Sequence, residues 1–221
     1  MAEDNAAKKK WRPATNLVRG GTNRSNFAET NEGIFMTSGY IYDTAEQAQR
    51  AFQGEEDRFI YSRFSNPTVG MFEERMALLE GAVSCRATAT GMAAVFASLA
   101  ASVSAGDRLV SSKALFGSCD FVCRELLPKF GIDTTMVNGT NLDEWEAALS
   151  KPTAAVFMET PSNPQMDIID IKAVCELAHK AGARVVVDNV FATPILQKPL
   201  EFGADVVVYS GTKHIDGQGR A

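Results

Sequence analysis

The sequence predicts an α/β protein: a parallel-rich sheet with helices on both faces. Three observations carry this. From residue 108 onward, apolar stretches of strand length alternate with stretches of helical period, the pattern of strands joined by crossover helices. Val185-Val186-Val187 and Val206-Val207-Val208 are apolar without alternation, as strands buried on both faces must be. Several of these stretches end in polar residues, and an open parallel sheet gathers its ligand chemistry along that one rim.

In chain order, residues 1–60 keep no steady period. They hold Gly20-Gly21 and one helical patch near Thr44–Phe52. Ile34, Phe35, Met36, Tyr40, Ile41 and Tyr42 make the segment too apolar for a solvated tail, so it is expected to be an arm that packs on a partner surface. Asn66-Pro67 supplies an N-cap and a proline at the first helical position. Val69, Phe72, Met76 and Leu79 keep helical spacing until Gly81 ends it. An alanine-rich helix is expected over 91–103. Strands follow at 108–111, 132–137, 154–159, 184–188 and 205–209, with helices at 118–130, 142–149 and 171–181 and a short one at 194–202.

The 221 residues suit one sizeable domain with additions. A net charge of −5 offers no broad basic face, so nucleic acid is not an expected partner. Lys8, Lys9, Lys10 and Arg12 read as a solvated tail. No apolar stretch reaches the ~20 residues of a membrane span, and Met-Ala-Glu-Asp does not begin a secretory signal, so a cytoplasmic protein without membrane contact is expected. Cys85, Cys119, Cys123 and Cys175 form no C-x-x-C pair and the two histidines are scattered, so buried thiols are expected rather than a metal site. Cys119 and Cys123, four apart, should share a helix face.

The strand ends carry the chemistry. After Val206–Val208 come Ser210, Thr212 and Lys213, then Gly217 and Gly219. A lysine amine there can attack a carbonyl and form a Schiff base, and the two hydroxyls can donate to a phosphate; an ordinary strand end with one exposed lysine would read the same. Asp188 ends an all-apolar strand, either capping a loop or facing a cationic ring nitrogen. Asn163 lies between two prolines in a rigid turn. Gly91 and Met92 open a helix whose free N–H groups suit a phosphate. Phe116 either stacks on a flat ring or fills core. Tyr61 and Arg63, two apart, are a phenol and a phosphate-binding guanidinium on one side of an extended segment, or an exposed loop pair.

Together, Tyr61-x-Arg63, Thr90-Gly91-Met92, Glu159-Thr-Pro-Ser-Asn163-Pro, Val187-Asp188-Asn189 and Ser210-x-Thr212-Lys213 resemble the Cys/Met-metabolism family of pyridoxal-phosphate enzymes over about residues 16–221. The resemblance implies the large domain of the aspartate-aminotransferase-like (fold type I) enzymes. It implies an arm, 1–60, that contacts the neighbouring subunit, and a cofactor domain, 61–221, whose C-terminal companion is absent from this chain. The stop eight residues after Lys213 likewise suggests part of a longer protein. The implied cofactor is pyridoxal 5'-phosphate. Lys213 would carry it, Asp188 would face its ring nitrogen, Phe116 would stack on the ring and Asn163 would lie near its hydroxyl. Gly91, Met92, Ser210 and Thr212 would hold its phosphate. Tyr61, counted with Lys213 and Asp188 among the catalytic residues, and Arg63 would reach the cofactor of the neighbouring subunit in a homodimer or homotetramer.

The implied reaction is γ-replacement on an activated homoserine, with sulfide displacing succinate, in methionine biosynthesis. Elimination, or another ester or nucleophile, uses the same site, and a fragment that holds cofactor without turnover is a third possibility. A nucleotide-binding module is disfavoured because no G-x-G-x-x-G follows the first strand. Many relatives place a tyrosine where Phe116 stands and read Thr-Lys-Tyr-x-x-Gly-His where this chain has Thr212-Lys213-His214-x-x-Gly217-Gln218. Both departures fit the sulfhydrylase branch of the family.

Overall fold

Asn66 starts its helix as the sequence predicts: its side-chain oxygen accepts from the Thr68 N–H at 2.9 Å, and Gly81 closes the far end at φ 77°. The computed structural model describes residues 11–220. Lys8, Lys9 and Lys10 lie outside them. Contacts divide the chain into two units, with the boundary after Ala87.

The first unit holds helices α1 (Pro13–Arg19), α2 (Ala45–Gln53) and α3 (Pro67–Glu80), linked by irregular chain. Helix α1 begins at Pro13, where an N-terminal proline is tolerated; the aperiodic sequence around it gives no sign of a helix. Thr44 caps α2 by accepting from Gln47 N–H at 3.2 Å. Polar bonds fix the path of the arm. Asn66 Nδ2 donates to Phe35 O at 3.0 Å, and Phe35 N–H donates to Thr68 Oγ1 at 2.8 Å. Arg75 donates to Gly20 O at 2.8 Å and pairs with Glu32. Ile34, Met36 and Ile41 remain exposed.

The second unit opens with α4 (Gly91–Ala100) and carries β1 (Arg108–Ser112), β2 (Asp133–Val137), β3 (Ala155–Glu159), β4 (Arg184–Asp188) and β5 (Val206–Val208). Every strand pair is parallel, in the order β2-β1-β3-β4-β5. Residues alternate between two cores. Val156, Met158, Val185 and Val187 pack with Trp145 of α6 (Leu142–Leu149) and Val174 of α7 (Ile171–Lys180). Ala155, Phe157 and Val186 pack with Val95 and Leu99 of α4 and with Cys119 of α5 (Gly117–Phe121). The sheet is therefore covered on both faces. Trp145 also satisfies its buried N–H on Gly139 O at 2.9 Å.

The structure differs from expectation where proline or serine competes with the helix. The segment 118–130 is broken. Helix α5 stops at Phe121, a π-turn spans Val122–Leu126 and a 3-10 turn spans Leu127–Phe130, because Pro128 has no N–H to continue the ladder. Cys119 and Cys123 still enter one core. Helix α4 ends at Ala100, short of 103; beyond it Ser102 turns its hydroxyl onto Ser98 O at 2.8 Å. The segment 194–202 splits into α8 (Thr193–Leu196) and a 3-10 turn, Pro199–Phe202, since Lys198 before a proline leaves the helical region. Asp205 lies outside β5; its carboxylate accepts from Val185 N–H at 2.7 Å and meets His179 Nε2 at 3.0 Å. No helix among the described residues is long and apolar enough to cross a membrane.

Candidate active site

The strand order places a switch point between β1 and β3. From that pair the chain winds outward to β2 on one side and to β4 and β5 on the other. Ligands of open parallel sheets bind at the carboxyl ends of strands at such a point. Beyond those ends lies a cavity of about 250 Å³. Gly91, Met92, Phe116, Asn163, Asp188, Ser210, Thr212 and Lys213, all singled out by the sequence, line it.

One wall is the start of α4. Thr90 Oγ1 accepts from Ala93 N–H at 3.0 Å, which leaves the N–H groups of Gly91 and Met92 at the helix end with no carbonyl one turn back. Gly91 is needed for a close approach. A Cβ there would stand 2.8 Å from Ser210 Cβ. Helix start and strand end thus press together and present amides and hydroxyls side by side, a cradle for an anion. Lys213 follows within the turn Gly211–Ile215, where the backbone leaves helical geometry (φ −87°, ψ −118°).

The opposite wall is acidic. Glu159 of β3 and Asp188 of β4 stand in register on adjacent strands. Burial, and then the charge of Glu159, push the Asp188 carboxyl up to about 7, against the pull of the Val190 N–H at 3.0 Å. Burial likewise raises Glu159, opposed by the amides of Phe116 and Asn163. Cys119 Sγ joins them, with ligand atoms of all three within 4.8 Å. Its thiol is held far above its usual range by burial and by these two acids. Such a set calls for a cation. Glu159 already spends both oxygens on backbone N–H groups, so the free valence belongs to Asp188, and a protonated ring nitrogen suits it.

Around this rim, Asn189 Nδ2 donates to Gln197 O at 2.9 Å and to Tyr209 Oη at 2.7 Å. Gln197 Nε2 donates to Asn189 Oδ1 and to Thr160 O, each at 2.8 Å. The ends of β3, β4 and β5 are thereby tied to one another. An anion cradle, a buried carboxylate that needs a cation, an aromatic wall and an accessible lysine together fit pyridoxal 5'-phosphate.

Tyr61 and Arg63 lie in the first unit. The segment is not extended: Tyr61 bridges Gly39, then the chain turns with Phe64 N–H on Tyr61 O at 2.8 Å. The Arg63 guanidinium therefore sits over the rings of Tyr61 (5.5 Å) and Phe64 (4.7 Å). Sequence reasoning assigned no role to Glu159, Cys119, Phe191 or Tyr209, which also line the cavity. Glu159 carried a usable signal, a carboxylate ending an all-apolar strand. Cys119 carried none.

A model of the Cys/Met metabolism PLP-dependent enzymes matches residues 14–221. The chain is 61% identical over 207 residues to an O-succinylhomoserine sulfhydrylase of Mycobacterium tuberculosis, covering 94% of this chain and 51% of that protein. It is 42% identical over 207 residues to an L-methionine gamma-lyase of Porphyromonas gingivalis, covering 93% and 52%. Among solved structures it is similar to a putative O-acetylhomoserine (thiol)-lyase of Campylobacter jejuni that carries N'-pyridoxyl-lysine-5'-monophosphate, with a TM-score of 0.90 and 33% identity over 96% of this chain and 52% of that one. The chain spans about half the length of the curated relatives it matches.

Proposed function

The chain belongs to the Cys/Met-metabolism family of pyridoxal-phosphate-dependent enzymes, and on that premise we propose that the complete protein catalyses γ-replacement: O-succinylhomoserine plus sulfide gives homocysteine plus succinate. A carbon–oxygen bond breaks at the γ carbon and a carbon–sulfur bond forms there, with no net redox change. The observation that carries the reading is the cavity, with Lys213, Asp188 and the Gly91 helix start on one rim. Similarity to O-succinylhomoserine sulfhydrylases supports the choice of ester and nucleophile.

When bound, the cofactor supplies an electron sink for charge developing on the substrate. The chain's own residues do the rest. The Gly91 and Met92 amides and the Ser210 and Thr212 hydroxyls hold the phosphate. Asp188 would keep the ring nitrogen protonated, Phe116 would lie against the ring and Asn163 would stand by its hydroxyl. Lys213 carries the cofactor, then moves protons at the α and β carbons as a positioned base. Phe116 has no hydroxyl, so proton handling falls to Lys213. Tyr61 and Arg63 serve the phosphate of a neighbouring subunit's site in a homodimer or homotetramer, and the reaction belongs to methionine biosynthesis.

The test is product analysis with the complete protein. Homocysteine from O-succinylhomoserine and sulfide should outpace homocysteine from O-acetylhomoserine. Faster breakdown of methionine would favour a lyase, the reading supported by the methionine gamma-lyase relatives. Bound cofactor with no product from any of these would sink the enzymatic reading.

A further inference from the structure

Glu159 bonds to two sides of the cavity at once. It is fully buried at the end of β3. The backbone ladder between β1 and β3 ends at Ser111 and Phe157, and beyond it the two strands part. Two residues further on, the Glu159 carboxylate takes over the bonding. Oε2 accepts from the Phe116 N–H at 2.6 Å, in the loop after β1, and Oε1 accepts from the Asn163 N–H at 2.8 Å, in the turn after β3. On the other side it stands in register with Asp188.

We propose that Glu159 is a positioning residue: its carboxylate sets the aromatic wall at Phe116 and the polar group at Asn163 together, and places a second negative charge behind Asp188. This rests on the pyridoxal-phosphate reading of the cavity. The choice of residue follows from donor counting. The two N–H donors meet different oxygens of the one carboxylate, so both of its oxygens must accept. Glutamine offers one oxygen and one NH₂, which would confront an N–H. Aspartate keeps the charge but is one methylene short of the span. A buried charge costs dearly unless paired or fully hydrogen-bonded, so a site that needed only packing would have no use for it.

The test uses the complete protein and reads cofactor binding before turnover. Glu159→Gln should weaken pyridoxal 5'-phosphate binding in a spectrophotometric titration by about tenfold or more, the cost of one buried donor left facing another. Phe116→Ala should also weaken it, and by clearly less in the Glu159→Gln background than in the wild type, because the two residues act as one unit. Wild-type affinity in Glu159→Gln, or effects that simply multiply, would overturn the assignment. Should Glu159→Gln fail to fold, amide hydrogen exchange of the wild type decides. Slow exchange at both Phe116 and Asn163 supports the bridge, and fast exchange at either refutes it. None of these readouts involves substrate, so an enzyme inert toward O-succinylhomoserine would overturn the proposed reaction and leave this inference standing.

Discussion

Replacing Asp188 by Asn should stabilise the cofactor-free protein and weaken its hold on the cofactor. Both effects follow from one buried carboxyl. In the folded protein Asp188 is pushed up to about 7, by burial first and by Glu159 second. In the unfolded chain it returns to an ordinary value near ~3.9. Between those values the folded state holds a proton that the unfolded state has released. Stability is therefore lost as pH rises through that window. From pH 5 to the raised value is about two units, on the order of 3 kcal/mol, nearly all of it gone by pH 8. Asparagine has the same shape, keeps an oxygen for the Val190 N–H and never ionises. Relief of Glu159, beside the substituted residue, acts in the same direction.

The assay is equilibrium urea unfolding of the complete apoprotein at pH 5 and pH 8, at one protein concentration. The stability of the variant relative to wild type should be higher at pH 8 than at pH 5 by on the order of 3 kcal/mol. The same variant should bind pyridoxal 5'-phosphate more weakly at pH 8, since nothing ionised then faces the ring nitrogen. A pH-independent difference, or one of opposite sign, would refute the account of Asp188 as a buried acid waiting for a cation.

Other outcomes follow from the same geometry. Borohydride reduction of the holoprotein, followed by peptide mapping, should place the cofactor on Lys213; an adduct on any other lysine removes Lys213 from its role. Gly91→Ala pushes a Cβ to 2.8 Å from Ser210 Cβ, far inside the ~3.5–4.0 Å of ordinary carbon contacts, at a cost of about 1–3 kcal/mol. Cofactor titration should show at least a severalfold loss, and unchanged affinity would mean that the helix start and the strand end do not form the cradle. Trp145→Ala should lower stability by about 3–5 kcal/mol in urea unfolding, because the indole is fully buried and its lost bond leaves Gly139 O unpaired. Arg63→Ala and Lys213→Ala variants, each inactive alone, should regain about a quarter of wild-type activity when mixed as randomly exchanging dimers with shared sites. No recovery, with exchange verified by tagged pull-down, would assign Arg63 to its own chain's site or to none.

Strand positions were legible because burial on both faces leaves no polar residue between the first and last positions of β3 and β4. The Asn66 helix start was legible because its cap and the following proline are adjacent residues. The order β2-β1-β3 was not, since periodicity identifies strands without naming their neighbours. The break at Pro128 was visible in the sequence, but the apolar spacing across it imitated one continuous helix. At the site, residues recognised by type, such as Lys213 and Asp188, could be named from the chain alone. Glu159 could not be assigned its work, because its partners at 116 and 163 meet only where two strands part. Tyr61 and Arg63 read as an extended pair, and the turn at Phe64 is set by the bridge to Gly39, a residue distant in sequence.

The ties among Thr160, Asn189, Gln197 and Tyr209 have a bearing on how the cofactor comes and goes. Every bond in that set joins protein to protein. None waits for an incoming group to complete it. The rim is thus held by the protein's own bonds, and binding a cofactor there should require little reordering of the strand ends. Loss of cofactor should then be a reversible event for the protein, followed by reloading rather than by refolding.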